Sequence, residues 1–358
     1  MDLMAHLFDP FSLRGVTLRN RVGVSPMCQY SSEDGFATDW HLVHLGARAV
    51  GGAGLVIAEA SAVEPGGRIS PQDLGIWSDA HVPMLSRIAA FVASQGAVAG
   101  IQIAHAGRKA STARPWDGGK PLASSKGGWQ PVGPSAIAFD EGYPVPDLLT
   151  RDDIRTIQGA FRAAAIRADA AGFEWLELHG AHGYLVHSFH SPLSNQRDDE
   201  YGGTFDNRVR FTLETVRAIR GVWPENRPLS VRLSCTDWVD GGWTINECVE
   251  LARRLKGEGV DLIDCSSGGG SPKQVIPVGA GFQVPFAEAI RQEAGIATAA
   301  VGMITQAMQA DEIIRNGRAD IVFLAREMLR DPYWAIHAAQ TLRYKGQLPV
   351  PPQYLRML

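Results

Sequence analysis

Cysteine is scarce in this chain: there are 4 in 358 residues, at positions 28, 235, 248 and 265, and no two stand at C-x-x-C spacing. That spacing argues against zinc ribbons and iron–sulfur clusters. So few thiols in a large core point to a reducing cytoplasm. Charge of one sign is also lacking. The 34 basic and 38 acidic residues are mixed along the chain and leave a net charge of −4. There is no basic stripe for nucleic acid and no polybasic tail for an anionic membrane. The longest apolar stretch, near Ala47 to Val63, is broken by glycines and holds Arg48 and Glu59, which excludes a membrane span. The opening Met-Asp-Leu-Met-Ala-His lacks the basic and apolar regions of a secretory signal. No G-x-G-x-x-G follows the first apolar run, so the usual mark of an open dinucleotide-binding sheet is missing.

What is present is a repeated alternation. Hydrophobic residues make up 45% and charged residues 20%, enough apolar material for a large core. Short apolar runs alternate with longer segments of helical period. The candidate strands are Arg21–Met27, Gly54–Ala60, Val98–His105, Phe173–His179, Leu229–Ser234, Asp261–Ser267, Thr298–Gly302 and Asp320–Ala325. A helix over about Asp152–Ala171 carries Ile154, Ile157, Phe161, Ala164 and Ala168 at spacings of three and four. Thr150 with Asp153, and Thr244 with Glu247, have capping-box spacing at two helix starts. Eight β–α units favour an α/β fold of one domain over residues 1–358, a closed (β/α)8 TIM barrel, over a doubly wound sheet. Residues 106–149, after the third strand, are too long for a plain connection and rich in Gly, Pro, Ser and Trp. They read as a capping or lid insertion over the C-terminal face. The Pro-rich, apolar tail over 346–358 reads as a docking segment.

In a barrel the C-terminal strand ends converge on one pocket. The residues found there are Ser25, Pro26, Met27, Cys28 and Tyr30 after strand one, Gln102 in strand three and His179, His182 and Tyr184 around strand four. Arg232 lies in strand five, Gly302 and Met303 after strand seven, and Ala325 and Arg326 after strand eight. His179 and His182 can be read as metal ligands, with His187 or His190 as a third. They can equally be read as hydrogen-bond donors to a substrate oxygen. His41 and His44, three apart on a helix, are assigned a structural role. Tyr184 would be protonated at neutral pH and able to donate. Arg232, a charge inside a barrel, demands an anionic partner. Gly302, Met303 and Arg326 suit a phosphate at the usual strand-seven and strand-eight site.

These segments resemble the Old Yellow Enzyme family of flavin ene-reductases, in its thermophilic-like, cysteine-bearing branch. The likeness is carried by Leu18-Arg-Asn-Arg-Val22, Ser25-Pro-Met-Cys-Gln-Tyr30, Asp39-Trp-His-Leu-Val-His44, Gly100-Ile-Gln-Ile-Ala-His-Ala-Gly-Arg-Lys109, Glu177-Leu-His-Gly-Ala-His-Gly-Tyr-Leu185 and the long run Ser191–Arg208. It extends from about Leu7 to Arg356. The resemblance implies FMN across the barrel mouth, with NADPH or NADH as hydride donor. Ser25, Pro26, Met27, Cys28 and Ala60 would flank the ring. Gln102 would meet its pyrimidine edge and Arg232 its N1/C2 region. Gly302, Met303, Ala325 and Arg326 would hold the phosphate. His179 and His182 would bind the activating carbonyl or nitro group, Tyr184 would donate the proton, Tyr30 would contact substrate and Cys28 would tune the flavin. Arg356 would enter a neighbouring subunit's pocket, implying a homodimer or homotetramer. Ala325 departs from the family's usual glycine, and its methyl is expected to crowd the phosphate cradle. The 116–142 and 236–243 stretches show no strong family match. A metal-dependent barrel hydrolase or aldolase, and a flavin-binding protein without turnover, remain as alternatives.

Overall fold

The computed structural model describes residues 5–346 and 350–357. Eight parallel strands close into a barrel: β1 Val22–Val24, β2 Leu55–Ala62, β3 Val98–Ala104, β4 Trp175–Gly180, β5 Leu229–Ser234, β6 Leu262–Ser266, β7 Ala297–Ala300 and β8 Ile321–Leu324. Each pairs with its sequence neighbours, and β8 pairs back to β1 through Val322 opposite Val22. The expected fold class is the observed one.

The first strand is shorter than the sequence suggested. Pro26 has no N–H to give to a ladder, and the Ser25 amide already donates to the Leu324 carbonyl at 3.0 Å. The chain therefore peels away after Val24, which turns Ser25–Tyr30 into the mouth rather than the wall.

The helices cover the outside because each buries one stripe. The helix after segment 106–149, Arg151–Ala170, buries Ile154, Ile157, Phe161, Ala164 and Ala168, the spacing read from the sequence. Thr150 accepts from the Asp153 amide at its start, and Thr244 from the Glu247 amide at the start of Ile245–Gly257. Inside the barrel, Leu55, Ile57, Val98, Trp175, Leu262 and Phe323 form a separate apolar plug. A short hairpin not anticipated from the sequence, Phe11–Leu13 with Val16–Leu18, packs Val16 and Leu18 against it. Among the described residues, no helix is long and apolar enough to cross a membrane.

Segment 106–149 contains three single 3-10 turns and a two-stranded pairing of Val132–Gly133 with Asp147–Leu148. It contacts loops from several strand ends. Arg108 donates to the Gly270 carbonyl at 2.7 Å, the Trp129 indole to the Gly66 carbonyl at 2.9 Å, and Trp116 meets the Tyr30 ring edge-on at 5.8 Å.

Candidate active site

Strand register assembles the site. Along the inner wall, Gln102, Glu177 and Ser230 stand side by side on β3, β4 and β5, and one step higher His179, Arg232 and Asp264 stand side by side on β4, β5 and β6. Alternation along each strand carries the interior from hydrocarbon to ionisable groups. On β4 it runs Trp175, Glu177, His179; on β6 it runs Leu262, Asp264.

The lower row is fully hydrogen-bonded. Gln102 Nε2 donates to Glu177 Oε1 at 2.8 Å, Ser230 Oγ donates to Glu177 Oε2 at 3.0 Å, and the Trp175 indole donates to Ser230 Oγ at 2.9 Å. In the upper row Arg232 Nη1 donates to Ser25 Oγ at 3.0 Å, and its Nε lies 3.2 Å from Asp264 Oδ2. The anion that Arg232 required is thus in part another strand's carboxylate. Neither Asp264 nor Glu177 was singled out from the sequence. Their signal was present as a lone acid at an inward position of each apolar strand.

The two imidazoles and the phenol come together. The rings of His179 and His182 are 5.1 Å apart, and Tyr184 lies 5.0 Å from His179 and 6.4 Å from His182. Burial, then the nearby Arg232 guanidinium, holds both histidines well below their ordinary range, so both are neutral. His179 Nδ1 accepts the Ala181 amide at 3.3 Å. Its one proton is therefore on Nε2, as a donor. Ser266 Oγ is 2.7 Å from His182 Nε2; a hydroxyl donating there leaves the ring proton on Nδ1. Burial, aided by Cys28 and Tyr30, pushes Tyr184 well above its ordinary value and keeps it protonated.

The turn that carries His182 is conformationally unusual. His182 has φ 62° and Gly183 φ 75°, and a Cβ on Gly183 would come within 2.2 Å of the Gly269 carbonyl. Lys109, from segment 106–149, fastens this turn by donating to the carbonyls of His182 at 2.8 Å and Gly269 at 2.9 Å. Its ammonium also sits 5.0 Å from the Tyr184 ring and 4.5 Å from the Phe139 ring. Lys109 ends the Gly100–Lys109 segment of the sequence, whose spacing alone assigns it no role.

Beside this group lies a cavity of about 330 Å³, lined by His182, Arg232, Ser266, Gly302, Met303, Ala325 and Arg326 among others. Arg330 is paired with Glu327 at 2.9 Å, whereas Arg326 has no ion-pair partner among the described residues. Gly302 has φ 122°, and a Cβ there would meet Gln283 at 2.8 Å, so glycine is needed. Ala325 has φ −105° and ψ −96°, outside the common α and β regions, but its φ is negative, so the turn does not call for the left-handed conformation that favours glycine. Ala60 and Tyr184 line a narrow cleft with the buried Asp73. Cys28 is half-buried, and burial with Asp73 and Glu59 pushes its thiol up. Met27 lines a separate small pocket with Glu59 and His41. Pro26 lies in the same irregular segment after β1.

Other histidines are occupied elsewhere. His41 pairs with Glu59 at 3.0 Å, His187 with Asp237 at 3.1 Å and His190 with Thr212 at 2.5 Å. Among the described residues no three His, Cys, Asp or Glu side chains are grouped to hold a metal. Arg356 lies exposed in the turn Pro352–Met357 and lines neither cleft of its own chain. Residues 347–349 and 358 of the tail fall outside the described residues.

The chain is similar to known proteins over nearly its whole length. The profile of the NADH:flavin oxidoreductase / NADH oxidase family matches residues 6–345. An NADPH dehydrogenase of Geobacillus sp. (strain WCH70) is 52% identical over 338 residues, covering 94% of each chain. An NADPH dehydrogenase of Bacillus subtilis (strain 168) is 47% identical over 352 residues, covering 98% of each. Among solved structures, morphinone reductase in complex with tetrahydroNAD is similar, with a TM-score of 0.77 at 27% identity, covering 98% of this chain and 93% of the other. A 2-naphthoyl-CoA reductase complexed with 2-naphthoyl-CoA has a TM-score of 0.85 at 26% identity; the match covers 94% of this chain and 52% of that one.

Proposed function

Because the chain belongs to the NADH:flavin oxidoreductase / NADH oxidase family, which includes the Old Yellow Enzyme group, we propose that it reduces the activated carbon–carbon double bond of α,β-unsaturated carbonyl or nitro compounds. It is an oxidoreductase whose cofactor is FMN and whose reductant is a nicotinamide, NADPH by the names of its relatives. When bound, FMN supplies the redox chemistry, taking hydride from the nicotinamide and giving it to the double bond. The residues fit such a cofactor. Arg326, Gly302, Met303 and Ala325 would hold the phosphate at one end of the cavity, and Arg232 would face the ring at the other. Ser25, Pro26, Met27, Cys28, Gln102 and Ala60 would border the ring.

The observation that carries the reading is the trio of His179, His182 and Tyr184, all kept in their uncharged forms by burial. Neutral imidazoles donate to a carbonyl or nitro oxygen without competing as acids, and their bonds tighten as negative charge grows there. Tyr184 holds the proton destined for the α-carbon. Tyr30 would border the substrate with Trp116. Segment 106–149 would act as a cap whose attachment point is Lys109. Arg356, exposed on its own chain, would serve a neighbouring subunit, and that role would imply a homodimer or homotetramer. Four free thiols suit a cytoplasmic setting.

An anaerobic titration tests the reading. The FMN-loaded protein should lose its visible flavin band with NADPH and regain it when cyclohexenone is added. A flavin that bleaches but never recovers with any enone, nitroalkene or maleimide would reject ene-reduction, and one that never bleaches would indicate binding without turnover.

A further inference from the structure

The upper row of the barrel interior contains an imbalance that the reaction above does not use. Asp264 is fully buried, and among the described residues Arg232 is its only close cation. The pair is near but misaligned: Arg232 Nε and both Asp264 oxygens lack a properly directed hydrogen bond. The one well-aimed bond of Arg232 goes to Ser25, and its guanidinium lines the cavity. Glu177, a second fully buried carboxyl, stands in the adjacent row. One arginine cannot neutralise two carboxylates, and an uncompensated charge in this interior is costly.

We propose that Asp264 is a proton-binding site coupled to FMN reduction: negative charge arriving on the cavity side of Arg232 is answered by a proton on the Asp264 carboxylate. The inference rests on the reading that FMN occupies the cavity. Arg232 lies between two anions once the flavin is reduced. Its misaligned contact with Asp264 is the weaker commitment, so the carboxylate is the group left exposed to like-charge repulsion. The step is a simple protonation. An O–H bond forms on Asp264, the proton comes from solvent, and no electrons move to or from the protein.

The groups that face Asp264 assign the proton to it. On β4, Glu177 is pushed up to about 8 by burial and then by Asp264, which makes it the more readily protonated of the two carboxyls before reduction. His179, beside Arg232 in register, and His182 are held neutral by burial and by that same arginine. β7 offers only Ala299 opposite Asp264. The thiols of Cys235 and Cys265 feel its charge and are themselves pushed up by burial. Asp264 is raised to about 6 by burial against the opposing pull of Arg232, so it enters neutral solution ionised yet is easily protonated. The two carboxyls titrate as a linked pair, and the experiment must therefore separate them.

The test is the number of protons taken up per two-electron reduction of the FMN-loaded protein. It is read from the slope of midpoint potential against pH between about pH 6.5 and 8. Each proton contributes about 30 mV per pH unit to a two-electron couple. The wild type should take up one proton more than Asp264→Asn, and Glu177→Gln should keep the extra proton. A wild type and Asp264→Asn with equal slopes would overturn the proposal, as would loss of the extra proton in Glu177→Gln alone. Should Asp264→Asn fail to fold, the redox-difference infrared spectrum of the wild type and Glu177→Gln decides. A protonated-carboxyl band that grows on reduction in both supports the site, and its absence from Glu177→Gln refutes it. Failure of the parent reading looks different, because a protein that binds no FMN gives no potential to plot, whereas enone turnover plays no part in the measurement.

Discussion

The lower and upper halves of the barrel interior are built on the same strands with opposite chemistry. Below, Leu55, Trp175, Leu262 and Phe323 exclude water, and the hairpin residues Val16 and Leu18 close the end. A Cβ on Gly23 would come within 2.2 Å of the Phe323 ring, so even a methyl has no room. Above, two residues beyond Leu262 stands Asp264, two and four beyond Trp175 stand Glu177 and His179, and Arg232 of β5 lies between His179 and Asp264, with orphaned oxygens on Asp264 and a turn of positive φ at His182. The contrast shows where the molecule keeps its stability and where it spends it: dispersion and burial below support ionisable groups above that could not assemble alone.

The largest expected effect tests the lower half. Trp175→Ala should destabilise the fold by about 3–5 kcal/mol, read from urea denaturation, while His179→Ala should cost far less. Equal losses would break the comparison. Next, His179→Ala should slow reduction of an enone by about a hundred- to a thousandfold, or roughly 3–4 kcal/mol of transition-state stabilisation. Stopped flow should find flavin reduction by NADPH much less affected, and a matching loss in both half-reactions would remove the assigned role.

Acid should act on the upper half first. In the upper half, His179 and His182 are held neutral by burial, as are His44, pushed down to about 3, and His190 on helices outside the barrel. An unfolded chain protonates its histidines below about pH 6.5. Their contribution is therefore complete above that value and is lost as pH falls toward their folded values. The slope is about 1 kcal/mol per pH unit for each histidine. Glu177 and Asp264, both pushed up by burial, act in the opposite sense, so the histidine contribution is read as a difference: the urea midpoint of His44→Phe should fall less than that of the wild type between about pH 6.5 and 5, and parallel curves would contradict it. The smallest effect belongs to Ser266→Ala, which removes the hydroxyl 2.7 Å from His182 and should cost about 1 kcal/mol. It should appear in the affinity for a phenolic inhibitor rather than in stability.

The two halves also differed in how far they could be read beforehand. Strand and helix periods placed all eight barrel strands, and the caps at Thr150 and Thr244 are where their spacing put them. Strand ends were enough to nominate His179, His182, Tyr184 and Arg232, because a barrel brings such ends together whatever the registers. What a linear reading could not supply was lateral order. Asp264 matters because it stands opposite Arg232, and Lys109 because it reaches carbonyls at 182 and 269. The hairpin at Phe11–Leu18 was missed for another reason: strands of three residues carry too little pattern to be seen.

The side-by-side placement of Gln102 with Glu177, and of His179 with Arg232 and Asp264, also limits how such a protein can diversify. Sliding one strand by a single position would swap its inner row for its outer one, turning Arg232 toward the helices and Val231 or Leu233 toward the reactants. Heritable change in what is reduced must therefore come through the excursions between strands, such as residues 116–142 and 236–243. A laboratory seeking new substrates has the same freedom and the same restriction: exchange the excursions, and leave the staves alone.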